Sequence, residues 1–300
     1  MSFLERKKKK HTLEIKKIKR KSALFLSPSV LGVGLFFVLP FLVVLYYSIV
    51  NNPIQRKIVF FDNFVRIWNN AAFRLAAANT LRFSFIAVPL VVLISMALAF
   101  ALDTAIPFKS QIRTLLLSPM MVPIASVILI WQVLFHYNGV ANEFLLFCEQ
   151  EKIDWFKSYY AQAILVLLFV WKNLGYNMIL FMSAISSIPK EIIEVAELES
   201  AKKWQIFLFI KTRYLSSTIL FVTILSLINS FKVFREVYML TGEYPFDALY
   251  LLQHFMNNTF NSLDYQKLSA AAILMCLVMI VIIGLLFTVE NYFGKDLEES

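Results

Sequence analysis

Six long apolar runs, separated by polar segments, organise this chain: residues 24–50, 76–102, 115–135, 161–183, 216–233 and 269–290. A helix needs about 20 mainly apolar residues to cross a bilayer core, so each run predicts one membrane-spanning helix. None shows the alternating segments of about ten residues that build a membrane barrel. The fifth run is the least clean, because Lys232, Arg235 and Glu236 crowd its end. The first is far longer than the roughly 7–15-residue apolar region of a signal peptide, so it reads as a helix that is retained. The expected fold is an all-α membrane protein with six transmembrane helices.

The polar segments carry further elements. Residues 61–68 predict a short amphipathic helix with Asp62 as its N-cap. Segment 239–268 holds Gly242 and Pro245 and suits a loop outside the membrane. Tyr46, Tyr47, Trp155, Phe156, Tyr159 and Tyr160 lie near span ends, where interfacial rings belong.

Composition narrows the class. Apolar residues make up 59% of the 300 and charged residues 16%, against about 45–50% and 25% in soluble domains. Those values exclude an ordinary soluble enzyme, a disordered chain and a disulfide scaffold. The formal net charge of +9 is local: residues 1–23 hold ten basic side chains and two acids. That block reads as a topology signal, or an arm for anionic lipid, rather than a nucleic-acid site. Only Phe3 offers an aromatic ring for stacking. With the N-terminus inside, segments 1–23, 103–113, 184–215 and 291–300 carry 18 Lys and Arg, and the outer segments carry 7. Both termini are therefore expected in the cytoplasm, with a basic tail over 1–23, a six-helix membrane domain over 24–290 and a short C-terminal tail over 291–300.

Candidate catalytic chemistry is sparse. The one Gly-Lys pair, Gly294-Lys295, is followed by Asp296, so no phosphate-cradling Gly-Lys-Ser/Thr loop is present. His11, His136 and His254 have no metal spacing. Cys148 and Cys276 fall in an outer loop and a span, an arrangement that disfavours a disulfide. No nucleophile–base arrangement can be read, so a membrane enzyme stays open with no residues pointing to it.

Between runs four and five lies a polar segment of balanced charge, with three lysines and four glutamates over 188–204. Pro189 suits a first helical position. At helical spacing, Ile192, Ile193, Ala196, Ser200 and Trp204 gather on one face, and Lys190, Glu191, Glu194, Glu197 and Lys202 on the other. The pattern fits a helix lying on the membrane or one that docks a partner.

The segment resembles the EAA loop of permease subunits of ABC importers of the carbohydrate type. That pattern is Ile-Pro-x-Glu-Leu-x-Glu-Ala-Ala-x-x-Asp-Gly-Ala, followed by Phe-x-x-Ile-x-x-Pro. Ile188, Pro189, Glu191, Glu194, Ala196, Ala201, Phe207 and Ile210 match it. Val195, Glu199, Ser200 and Arg213 stand where the pattern has Ala, Asp, Gly and Pro. Other pieces are similar in order along the chain: Asp62-Asn63-Phe64, Asn79-Thr80, Arg113 with Pro119 and Pro123, Trp171 to Gly175, and Phe231-Lys232-Val233-Phe234 followed by Thr241-Gly242. The last resembles the F-type half of maltose importers and the A-type half of glycerol-phosphate importers.

The resemblance implies a type I importer permease in a bacterial inner or plasma membrane. It implies a second permease subunit, two separate ATPase subunits that bind ATP and Mg, and an external solute-binding protein. No cofactor is expected on this chain. Glu191, Glu194, Ala196, Glu197, Ser200 and Ala201 over loop 188–213 would dock the ATPase, with Glu194 its main charged partner. The implied substrate is a sugar or oligosaccharide, with a polyol phosphate as the alternative. A stand-alone channel, carrier or membrane enzyme is the competing class.

Polar groups inside the spans are the pathway candidates, because such groups usually face an interior or a cavity. They are Lys172, Asn173, Tyr176 and Asn177 in the fourth run, and Ser226, Asn229, Ser230 and Lys232 in the fifth. Beside Trp171 and Phe231 they suit a sugar, which offers hydroxyls and apolar ring faces. Equally, they suit bonding across to the partner permease. Arg82 is expected to snorkel or pair. Arg235 and Glu236 are expected to pair with each other at the outer surface.

Overall fold

A computed structural model describes residues 21–52, 54–103 and 107–294. Nearly all of the basic tail, and residues 295–300, lie outside them. The described α-helices longer than a single turn are α1 (Lys21–Ile49), α2 (Asp62–Trp68), α3 (Ala71–Asp103), α4 (Lys109–Met121), α5 (Ile124–Leu134), α6 (Val140–Phe147), α7 (Ala161–Ser186), α8 (Lys190–Leu198), α9 (Ser216–Lys232), α10 (Phe234–Thr241), α11 (Leu252–Asn261) and α12 (Tyr265–Gly294). Short π-helical turns also occur, at Gly34–Val38 within α1 and at Ile206–Lys211. No strand occurs among the described residues. The chain is an all-α membrane protein, with five helices long and apolar enough to span a bilayer and a sixth crossing in two pieces.

That sixth crossing corrects an expectation. Run 115–135 is not one helix: α4 and α5 meet at 99°. Pro123 has no N–H to donate, and its ring disfavours helical geometry at the residue before it. Val122 accordingly is extended, at φ −77° and ψ 134°. The fifth run differs in the other direction. After Lys232 only Val233 separates α9 from α10, and the helical stretch continues to Thr241. The charges that were expected to end the span do not end the helix. The short helix over 61–68 forms, with Asp62 as its first residue.

Two compact units are formed. The first joins described residues up to Ile67 with Asp264–Leu274. In it the Asn63 amide donates to the carbonyls of Ser48 and Val50, at 2.9 and 2.8 Å. This bond pair ties α2 to the end of α1, and Val50 bridges to Ile58 beside it. Most apolar side chains of α1 remain exposed.

The second unit comprises Trp68–Leu263 and the residues from Met275 on. Its core is built by α3, α7 and α9 through Phe83, Val91, Phe169, Met178, Phe181 and Val222. Lipid offers no hydrophobic gain for helix association, so close packing and hydrogen bonds must supply it. Both are present. Ser84 and Ser230 share a hydrogen bond of 2.8 Å, and the Asn177 amide donates to the Ser226 hydroxyl at 2.9 Å. Gly175 of α7 lies against the backbone of Leu116 in α4, and a Cβ there would collide with the Leu116 carbonyl.

Outside the spans, α11 is locked onto α3. The Asn79 amide donates to the Tyr250 carbonyl at 3.1 Å, and the Leu252 N–H donates to the Thr80 hydroxyl at 2.8 Å.

Candidate functional site

Two places carry candidate function: the segment after α7 and a cavity beside α7 and α10. The first starts at Pro189, which caps α8 one position earlier than expected. Glu191, Glu194 and Glu197 all stand exposed on α8. Ala196 turns inward, only 8% exposed, and Ile193 packs against the core. Ala196 thus seats α8 on its own chain instead of presenting a side chain outward.

The end of α8 explains the departure at Ser200. Its N–H bonds the Glu197 carbonyl, and the Ala201 N–H bonds the Ala196 carbonyl, both at 3.0 Å. This is the Schellman arrangement, in which the residue after the cap takes the left-handed conformation usually given to Gly. Ser200 adopts it, at φ 64°. The turn survives the replacement. One expectation fails here: Ser200 and Trp204 do not extend the face of Ile192, Ile193 and Ala196. The helix stops at Leu198, the chain turns, and both side chains are exposed. The sequence reading also missed Val195 and Leu198, exposed apolar side chains on α8. Their spacing of three was the available signal.

Beyond the turn, the π-helical segment binds this region to the end of α3. The Phe207 ring meets Phe100 edge-on at 4.7 Å, and Lys211 pairs with Asp103 at 3.7 Å. Arg213 sits in a single helical turn, Thr212–Tyr214.

The cavity has a volume of about 280 Å³. Four expected residues line it: Lys172, Asn173, Asn229 and Lys232. Arg235 and Glu236 line it as well, and Met120 reaches it from α4. Glu236 is the main correction. It does not pair with Arg235 at the surface; it is 6% exposed and bonds the Lys172 ammonium. A buried carboxylate at this depth would be costly without that cation. The two side chains are 64 positions apart, a pairing that helical spacing along one element does not display. The Asn229 amide donates to the Asn173 side-chain oxygen at 3.2 Å, joining α9 to α7.

Tyr176, Asn177, Ser226 and Ser230 do not line this cavity. Asn177, Ser226 and Ser230 are buried between helices of this chain, bonded as described above. Their polar groups hold α3, α7 and α9 together within this chain. Phe231 is buried in the core, whereas Trp171 keeps part of its ring exposed.

Residues 92–298 match the family described as binding-protein-dependent transport system inner membrane component. The chain belongs to that family. The match takes in α8, the turn at Ser200 and every residue lining the cavity. Among relatives, the lactose transport system permease protein LacF of Rhizobium radiobacter is 27% identical, over 88% of this chain and 91% of that protein. The trehalose/maltose transport system permease protein MalF of Thermococcus litoralis is 24% identical, over 91% of this chain and 94% of that protein. The sn-glycerol-3-phosphate transport system permease protein UgpA of Rhizobium meliloti is 26% identical, over 87% and 90%. A solved bacterial alginate ABC transporter, in complex with its alginate pentasaccharide-bound periplasmic protein, contains a chain of the same fold. Its TM-score is 0.80 at 20% identity, covering 93% of this chain and 98% of that one. As a member of the family, this chain is a multi-pass permease of an inner membrane and works with a binding protein.

Proposed function

We propose that this chain forms one half of the translocation pathway of an ATP-driven sugar importer in a bacterial cytoplasmic membrane. The observation that carries the reading is the family match over 92–298, which holds the docking helix and the cavity on one continuous stretch. The substrates named for LacF and MalF support a sugar. A second permease supplies the other half, two ATPase subunits bind ATP and Mg, and hydrolysis belongs to them.

In this reading α8 offers Glu191, Glu194 and Glu197 to a cleft on an ATPase. Ser200 and Ala201 set the turn beneath it. When the ATPases close on ATP, α8 moves as a rigid piece. The Phe207–Phe100 contact and the Lys211–Asp103 pair pass that displacement to α3, and α3 carries the core. Rocking of packed helices then reverses the side on which the pathway opens.

The test is purification of the tagged chain from its native membrane in mild detergent. A second permease and an ATPase should come with it, and the complex in liposomes should accumulate labelled sugar only with ATP. A chain that purifies alone and moves solute without ATP would overturn the reading.

A further inference from the structure

We infer that the cavity beside α7 and α10 takes a solute that is anionic as well as hydroxylated: a sugar acid, or a sugar or polyol bearing a phosphate or sulfonate. This rests on the importer reading above and narrows its substrate class.

The charge inventory of the cavity carries the argument. Lys172, Lys232 and Arg235 line it, against a single carboxylate, Glu236. That carboxylate is spent on Lys172, and the pair is largely buried. The one group that would repel an anion is therefore neutralised from behind. Lys232 and Arg235 are exposed and form no ion pair among the described residues. They sit three positions apart, either side of Val233, where like charges disfavour each other. The described residues offer these two cations no carboxylate, and the fold gains nothing visible from the pair. A wall that focuses positive potential into a confined space raises the local concentration of anions. Arginine adds a fork of donors that fits carboxylate or phosphate oxygens.

The hydroxyl part follows from the amides. Asn229 gives one N–H to Asn173, and the bond leaves its side-chain oxygen facing no described donor. An amide oxygen and an ammonium or guanidinium side by side match a hydroxyl next to an acidic group. Lys232 and Arg235 hold the anion; Asn229 and Asn173 read the hydroxyls.

Uptake by host cells decides it, with the gene intact or deleted. The probes are labelled trigalacturonate and glycerol 3-phosphate as anions, and maltotriose and lactose as neutral sugars. Uptake of an anionic probe should depend on the chain. The Lys232→Gln, Arg235→Gln double variant should lower that uptake by about tenfold or more, the scale of one charge-assisted bond. A Lys232→Arg, Arg235→Lys variant should keep most of it. Chain-dependent uptake of neutral probes alone would overturn the anionic assignment and leave the sugar-importer reading standing. Dependence of no probe on the chain would overturn both. Loss of the second permease on co-purification of the double Gln variant would assign the two cations to the subunit interface and overturn the inference. Undiminished anion uptake by that variant would do the same.

Discussion

At φ 64°, Ser200 occupies a conformation that an L-residue holds at a cost of about 1–2 kcal/mol. It persists because the two backbone bonds closing α8 demand it. Ser200→Gly should therefore leave transport intact. Ser200→Ile places a β-branched side chain where it is a steric outlier, and should reduce the ATPase recovered with the chain on co-purification. His254 is held by burial of a different kind. It is fully buried, and the Leu251 N–H donates to its Nδ1 at 3.2 Å. Desolvation lowers its pKa from 6.5 to about 4. The fold thus prefers the neutral ring, and its contribution is complete above pH 6.5 and lost as the pH falls through about 4. The melting temperature of the purified protein should drop over that interval. His254→Asn keeps an acceptor near Nδ1 without titrating there, so its melting temperature should depend less on pH.

Among the elements, α4 and α7 meet with no room for a Cβ at Gly175. At Gly175→Ala the new Cβ meets backbone, which cannot rotate away as a side chain would. Overpacking of this kind costs about 1–3 kcal/mol. A thermal melt in detergent should show the loss, and transport should fall with it. Element existence was legible in the sequence because span length and apolarity are local properties. The bend between α4 and α5 was not, since a hydropathy window averages over Pro123 while backbone geometry responds to it alone. The partner of Glu236 was misread for a related reason. Arg235 is its neighbour in the chain, and Lys172 is brought to it only by another helix.

Over the whole molecule, the family and the coupling segment were legible because their motif is contiguous. The cavity was legible in part: Lys172, Asn173, Asn229 and Lys232 were expected there, while Arg235 and Glu236 were set aside as surface groups. Tyr176, Asn177, Ser226 and Ser230 are polar at the same spacing, and only packing distinguishes those that hold helices together from those that line space. Glu194 offers the prediction at this scale. It is exposed on α8, whose inner side is seated by Ala196 and Ile193. Glu194→Lys should abolish uptake while leaving the amount of chain in the membrane normal. Unaltered uptake would remove the residue from coupling.

The broken crossing also governs the order in which the chain can be made. At 11 residues, α5 is about 16 Å long, and a bilayer core is about 30 Å. Its companion α4 carries Lys109, Gln111 and Arg113. Neither half is a sufficient stop for the insertion machinery, and both emerge from the ribosome before α7 exists to receive them. The third crossing should then settle together with the fourth, late and as a pair. A reporter ending a chain truncated at residue 150 should remain in the cytoplasm. The same reporter inserted there in the full chain should reach the outside.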